Sequence, residues 1–167
     1  YFFLENIYNA LEISEFLKSF PFEKKHRYNI DEVMKLLVFG RILKPESKKK
    51  TFERRDEYFT TFKCALNSIY RSLTQMDEIK EDLQVHLNRK VSETYGRNAS
   101  LVFYDVTNYY FETDIEDDFK KKGVSKDKKR TPLVQMGLLI DNMGIPIAYQ
   151  LFPGNTNDIS TLIPFLA

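Results

Sequence analysis

Leu101-Val102-Phe103-Tyr104-Asp105-Val106-Thr107-Asn108-Tyr109-Tyr110-Phe111-Glu112 is a run of β-forming residues interrupted by one carboxylate. Two further apolar runs, Leu133 to Ile140 and Ile145 to Leu151, follow it, and Asp141-Asn142-Met143-Gly144 between them is a hairpin signal of the longer-loop kind. Pro153-Gly154 then breaks the strand pattern. Asn157 or Asp158 can cap a helix that runs through Leu162, Ile163, Phe165 and Leu166, with its Leu162, Ile163 and Leu166 side expected to pack against the sheet. The order is strand, long polar excursion, hairpin, helix. Three antiparallel strands with one helix would leave a sheet edge and a sheet face open.

Upstream of Gly96 the period changes from strand-like to helical. Leu4, Ile7, Tyr8 and Leu11 mark a first helix, and Ile13, Phe16, Leu17 and Phe20 a second, with Ser14 as its expected N-cap and Pro21 after it. Asn29 is placed to cap a third, with Asp31 and Glu32 in the first turn and Val33, Leu36, Leu37 and Leu43 on the buried stripe until Pro45. Leu66, Ile69, Tyr70 and Leu73 define another. A last helix is predicted from near Asp77 through Ile79, Leu83, Leu87 and Val91, ending at a glycine cap, Gly96. The expected organisation is α+β: an all-helical region over 1–96 and a sheet-bearing region over 97–167.

Composition bounds the function more than it identifies it. The 167 residues carry 25 Lys and Arg against 24 Asp and Glu, so the net charge of +1 points to no partner and any signal must be local. With 43% hydrophobic and 14% aromatic residues the chain can build a core, which excludes global disorder. Cys64 is the only cysteine, which excludes an intrachain disulfide and a cysteine zinc cluster. No apolar segment approaches a membrane span, and Tyr1-Phe2-Phe3-Leu4 is followed at once by Glu5, without a basic leader. A soluble intracellular chain with no membrane partner is expected. Its two ends, Tyr1 and Ala167, fall within apolar patterns, as if cut from something longer.

The excursion between the first two strands is the most biased segment. Glu112, Asp114, Glu116, Asp117 and Asp118 put five acids in seven residues, and Lys120, Lys121, Lys122, Lys126, Lys128, Lys129 and Arg130 then put seven bases in eleven. Either the two halves neutralise each other in a solvated loop, or the bases form an arm for phosphates. Lys44, Lys48, Lys49, Lys50, Arg54 and Arg55, against Glu46 and Glu53, permit the same two readings, of which the solvated helix face is the expected one.

Asp105 is the informative exception, because an ionised carboxylate in an apolar strand needs a partner or a cation. It could serve a turn at the strand end, helped by Thr107 and Asn108, or bind a metal such as Mg²⁺, which takes one or two protein carboxylates. His26 and His86 have no ligand spacing around them, and Cys64 reads as a small buried hydrophobe. Tyr109 and Tyr110, just beyond Asp105, are the aromatics with a claim to face nucleic acid.

The strand around Asp105, the later Gly123-Val124-Ser125-Lys126-Asp127, Gly137-Leu138-Leu139-Ile140-Asp141 leading to Gly144-Ile145-Pro146, and Phe152-Pro153-Gly154-Asn155-Thr156-Asn157-Asp158 together resemble the DDE transposases of bacterial insertion sequences. Ile42-Leu43-Lys44-Pro45 with Ser47-Lys48 also resembles the helical region before the catalytic core in that group. The resemblance implies that 97–167 is the first part of a ribonuclease H-like core, three antiparallel strands plus a helix, and that 1–96 is a helical, DNA-contacting or scaffold region.

It further implies that Asp105 is the first catalytic and metal-binding acid of a triad. Two Mg²⁺ (or Mn²⁺) ions, roughly 4 Å apart, would serve cleavage and strand transfer on double-stranded DNA at transposon ends and target. The second Asp and the Glu are expected beyond Ala167, so the chain alone is expected to be inactive. Asp141 reads as a turn residue, Asp158 as a helix cap, and Glu112 as lying on the opposite sheet face from Asp105. DNA contacts would fall to Lys120, Lys121, Lys122, Lys126, Lys128, Lys129, Arg130, Tyr109 and Tyr110. Self-association and a bacterial, cytoplasmic, nucleoid-associated setting follow from the same resemblance. The rivals are a ribonuclease H-like nuclease that hydrolyses without joining, and a non-catalytic truncated product that binds DNA or pairs with the intact protein.

Overall fold

The computed structural model describes residues 1–22, 28–58, 62–123 and 131–165. The chain is mixed α+β and forms two compact units, Tyr1–Tyr95 and Gly96–Ala167.

The first unit contains helices α1 (Phe2–Ala10), α2 (Ile13–Lys18), α3 (Ile30–Leu43), α4 (Lys48–Glu53), α5 (Leu66–Glu78) and α6 (Lys80–Tyr95), with a 3₁₀ turn at Arg55–Glu57. Two apolar clusters hold it together. Tyr8, Leu17, Met34, Phe39 and Ile79 form one, and Val33, Leu36, Phe62 and Ile69 the other, so α3 feeds both from two sides. Asn29 caps α3 as its sequence suggests, its Oδ1 accepting from the Asp31 amide at 3.0 Å. Ser14 does not cap α2. Glu12, at a left-handed φ of 50°, holds that place, and the Ser14 hydroxyl donates to the Asp31 carboxylate at 2.9 Å, because Asp31 also collects the Tyr8 hydroxyl at 2.8 Å and ties three helices together. Leu43 is exposed, and Met34, Phe39 and Gly40 take the buried places on α3 instead. Gly96, at φ 71°, follows α6 directly, in the left-handed conformation a helix-ending glycine supplies at no steric cost.

The second unit is built on strands β1 (Val102–Tyr110), β2 (Leu133–Asp141) and β3 (Pro146–Pro153), antiparallel in the order β1-β2-β3. Val102 faces Asp141 and Tyr110 faces Leu133 across the first pair, and Val134 faces Pro153 across the second, with one bulge at Leu139/Ile140. Helix α7 (Asp158–Leu162), capped by Asn157, lies on one face of the sheet: the Tyr104 hydroxyl donates to Thr161 Oγ1 at 2.6 Å, and the ring of Phe165 packs on that of Tyr104. The helix is shorter than its apolar pattern suggests. It passes at Ile163 into a 3₁₀ turn containing Pro164, which has no amide to continue the ladder. Ile163 is therefore exposed, Thr161 and Phe165 make the sheet contacts expected of Ile163, and Leu166 lies outside the described residues.

Candidate metal and nucleic-acid site

Alternation along β1 sorts its side chains. Tyr104, Val106, Asn108 and Tyr110 share the face that carries α7, and Val106 is buried there. Phe103, Asp105, Thr107 and Tyr109 therefore lie on the other face and are exposed. Asp105 is in mid-strand, opposite Leu138, which is itself opposite Tyr149 on β3. Its carboxylate makes no hydrogen bond or ion pair among the described residues, so it does not close a turn with Thr107 or Asn108. The sequence suggests a carboxylate in a buried strand. The structure resolves the conflict by turning Asp105 outward into a strip of apolar neighbours, Phe103, Leu138 and Ile140, where it stays accessible to a cation.

Tyr109 shares the Asp105 face, its hydroxyl 3.7 Å from Met136 Sδ, whereas Tyr110 belongs to the α7 face. Four residues of strand separate Tyr109 from Asp105, about 13 Å. Glu112 lies beyond the end of β1 and is exposed. The charged excursion is partly self-neutralised. Lys120 pairs with Asp117 at 3.1 Å and lies over the Phe111 ring, and Lys122 pairs with Asp114 at 3.5 Å. Lys121 exchanges backbone hydrogen bonds with Leu133, which fixes the start of the arm to β2. The Lys120 amide above all, with the Phe119 amide and the Lys120 ammonium, holds the Asp117 carboxyl below the usual carboxylate range. Lys126, Lys128, Lys129 and Arg130 lie outside the described residues, as does His26.

In the helical unit, Lys44 pairs with Glu57, Lys50 with Glu53, and Arg54 with Glu46 and Glu57, while Arg55 stacks on Phe52, so that basic cluster carries its own counter-charges. His86 is buried, its Nε2 2.8 Å from the Leu11 carbonyl oxygen and its ring on Phe16. Cys64 is half-buried, and burial pushes its thiol up in pKa.

Asp141 is fully buried and structural. Its carboxylate accepts from Arg97 Nη1 at 3.1 Å and from the amides of Met143 and Ile145, both at 2.9 Å, which closes the β2–β3 turn. Asp158 sits in the first turn of α7, where Gln135 Nε2 donates to it at 3.4 Å. Two features are invisible in the sequence pattern. Arg97 gains its importance only through pairing 44 residues away, and Gln135 sits inside an apolar run that its type does not explain. Among the described residues no three His, Cys, Asp or Glu side chains gather as a metal-holding group, and no helix is long and apolar enough to cross a membrane. Comparison with protein-family models, with curated proteins and with solved structures gives no match for this chain.

Proposed function

We propose that the chain is part of a DDE transposase of bacterial insertion sequences, with Gly96–Ala167 as the opening of a ribonuclease H-like core and Asp105 as its first metal-binding acid. The observation that carries this reading is the position of Asp105: mid-strand on β1, at one edge of the antiparallel β1-β2-β3 sheet, on the face opposite α7, and without a protein partner among the described residues. An exposed carboxylate is the donor that Mg²⁺ or Mn²⁺ takes, and Asp105 would hold such ions together with a second Asp and a Glu. When bound, the ions supply the charge stabilisation for in-line attack on a phosphodiester. Asp105 supplies the fixed carboxylate, oriented by a strand whose other face is pinned through Tyr104 to Thr161. The second Asp belongs, on this reading, to a strand added alongside β1. Double-stranded DNA at transposon ends and target is the substrate, and self-association accompanies it.

The test begins with the encoding DNA past the codon for Ala167, where an Asp-bearing strand and a Glu-bearing helix should follow. The protein carrying all three acids should then cut and join DNA bearing its terminal repeats with Mg²⁺ or Mn²⁺, and Asp105→Asn should abolish both steps. Cutting without joining would favour the nuclease. The 167-residue chain alone should do neither, because one carboxylate cannot hold two ions; nicking by that chain, abolished by Asp105→Asn, would place the remaining ligands within it.

A further inference from the structure

Helix α7 lies on one face of the β1-β2-β3 sheet, and the other face is apolar and open to solvent. Phe103 and Tyr109 on β1 are 52% and 47% exposed there, and Tyr149 and Leu151 on β3 are 38% and 45% exposed. An aromatic side chain carries about 150–250 Å², so the three rings and Leu151 together present roughly 300–400 Å² to water. A patch of that size on a folded domain is often an interaction surface, since a sheet face of this kind gains its stability by packing on another element.

Charge and register select the occupant. Asp105 is the only charged side chain among the described strand residues of this face, and it lies in a row with Leu138 on β2 and Tyr149 on β3. Neighbouring strands stand about 4.8 Å apart, so Leu138 is the centre of the row and Asp105 and Tyr149 are its ends. A second copy turned over about a twofold axis along β2 sets β1 on the partner's β3 and keeps every row in step. Each Asp105 then meets the partner's Tyr149, an aromatic ring with a polar tip, and Leu138 meets its own counterpart. The adjoining rows match in the same way: Thr107 falls on the partner's Leu151, and Tyr109 on the partner's Pro153. An axis across the strands would instead set β1 on β1 and bring two carboxylates together in a water-poor interface, which their like charge opposes.

We infer that this face pairs with its own copy, twofold along the strands, in a two-sheet sandwich with α7 on each outer side. The two faces would remove on the order of 1,000 Å² from water in total, the lower bound for a specific interface, which makes the dimer reversible. Pairing covers Asp105 and so withholds it from a cation, and the inference uses only exposure, register and charge, independently of the transposase reading.

Sedimentation equilibrium of the 167-residue chain should show a monomer–dimer equilibrium with Kd on the order of 10⁻⁵ M and nothing larger. Leu151→Asp should weaken it by about a hundredfold or more, because it sets a second carboxylate beside the partner's Asp105 without a counter-charge, and Phe103→Asp provides a second variant should the first fold poorly. Ile159→Asp, at an exposed position on α7, should leave the equilibrium unchanged. In a Cys64→Ser background, Asp105→Cys chains mixed with Tyr149→Cys chains should be joined by a short bismaleimide, and neither should be joined to its own kind. A chain that stays monomeric up to about 0.5 mM, well above that Kd, would overturn the surface, as would assembly beyond the dimer or a dimer that survives both aspartate variants. Asp105→Cys chains joining one another would overturn the twofold along β2.

Discussion

The guanidinium of Arg97 reaches three acceptors around the β2–β3 turn: the Asp141 carboxylate at 3.1 Å, the Ile145 carbonyl at 3.3 Å and the Pro146 carbonyl at 3.1 Å. Its side chain is 6% exposed and that of Asp141 0%. A buried pair of this kind adds little net stability against an apolar substitute, but removing one partner strands the other charge. Arg97→Ala should therefore destabilise the chain by about 3–5 kcal/mol, read as a lower urea midpoint at unchanged slope. Replacing both residues should cost less than the sum of the single changes, because neither charge is then left alone. Asp105 is the contrast: an exposed carboxylate without a partner among the described residues, so Asp105→Asn should leave stability within about 0.5 kcal/mol. Asp141 holds the fold, and Asp105 makes no such contact among the described residues.

At the scale of elements, β1 matters because its two faces have different tasks. The α7 face is committed to packing, and Gly137 on β2 makes this possible. Gly137 faces Val106 across the strands, and a methyl placed on it would run into the ring and hydroxyl of Tyr104. Gly137→Ala should therefore push Tyr104 off Thr161 and destabilise the chain by about 1–3 kcal/mol, the usual range for overpacking, with loss of protection at the α7 amides in hydrogen exchange. Strand existence and the β2–β3 turn were legible because continuous apolar, β-forming runs and the Asp-Asn-Met-Gly segment are local signals, whereas the pairing of β1 with β2 across the charged excursion has no local signal. The facing of Asp105 was not, since alternation gives two equivalent choices until a helix covers one side. The Ser14, Leu43 and Ile163 expectations failed for a related reason. Asp31 drew Ser14 away from capping, and the core selected Phe39 over Leu43 and Phe165 over Ile163, all through contacts distant in sequence. Arg97 and Gln135 gave no periodic signal at all.

For the molecule as a whole, near-zero net charge hides a strongly asymmetric distribution. Lys120 and Lys122 have Asp117 and Asp114 beside them, and the basic cluster around α4 is interleaved with Glu46, Glu53 and Glu57. Any electrostatic attraction for a nucleic-acid backbone must then come chiefly from bases whose local acids are fewer. By sequence those are Lys126, Lys128, Lys129 and Arg130, offset only by Asp127. Because phosphate contacts release condensed counterions, each one adds about 0.9 to the slope of log K against log salt on duplex DNA. Replacing Lys128, Lys129 and Arg130 with Gln should flatten that slope by up to about 2.7 if all three contact phosphate. Replacing Lys120 and Lys122 should change it little, because releasing their acid partners offsets what a phosphate would gain. The measurement is fluorescence anisotropy on a duplex across a salt series. A slope unchanged by the triple substitution would return the arm to a solvated loop.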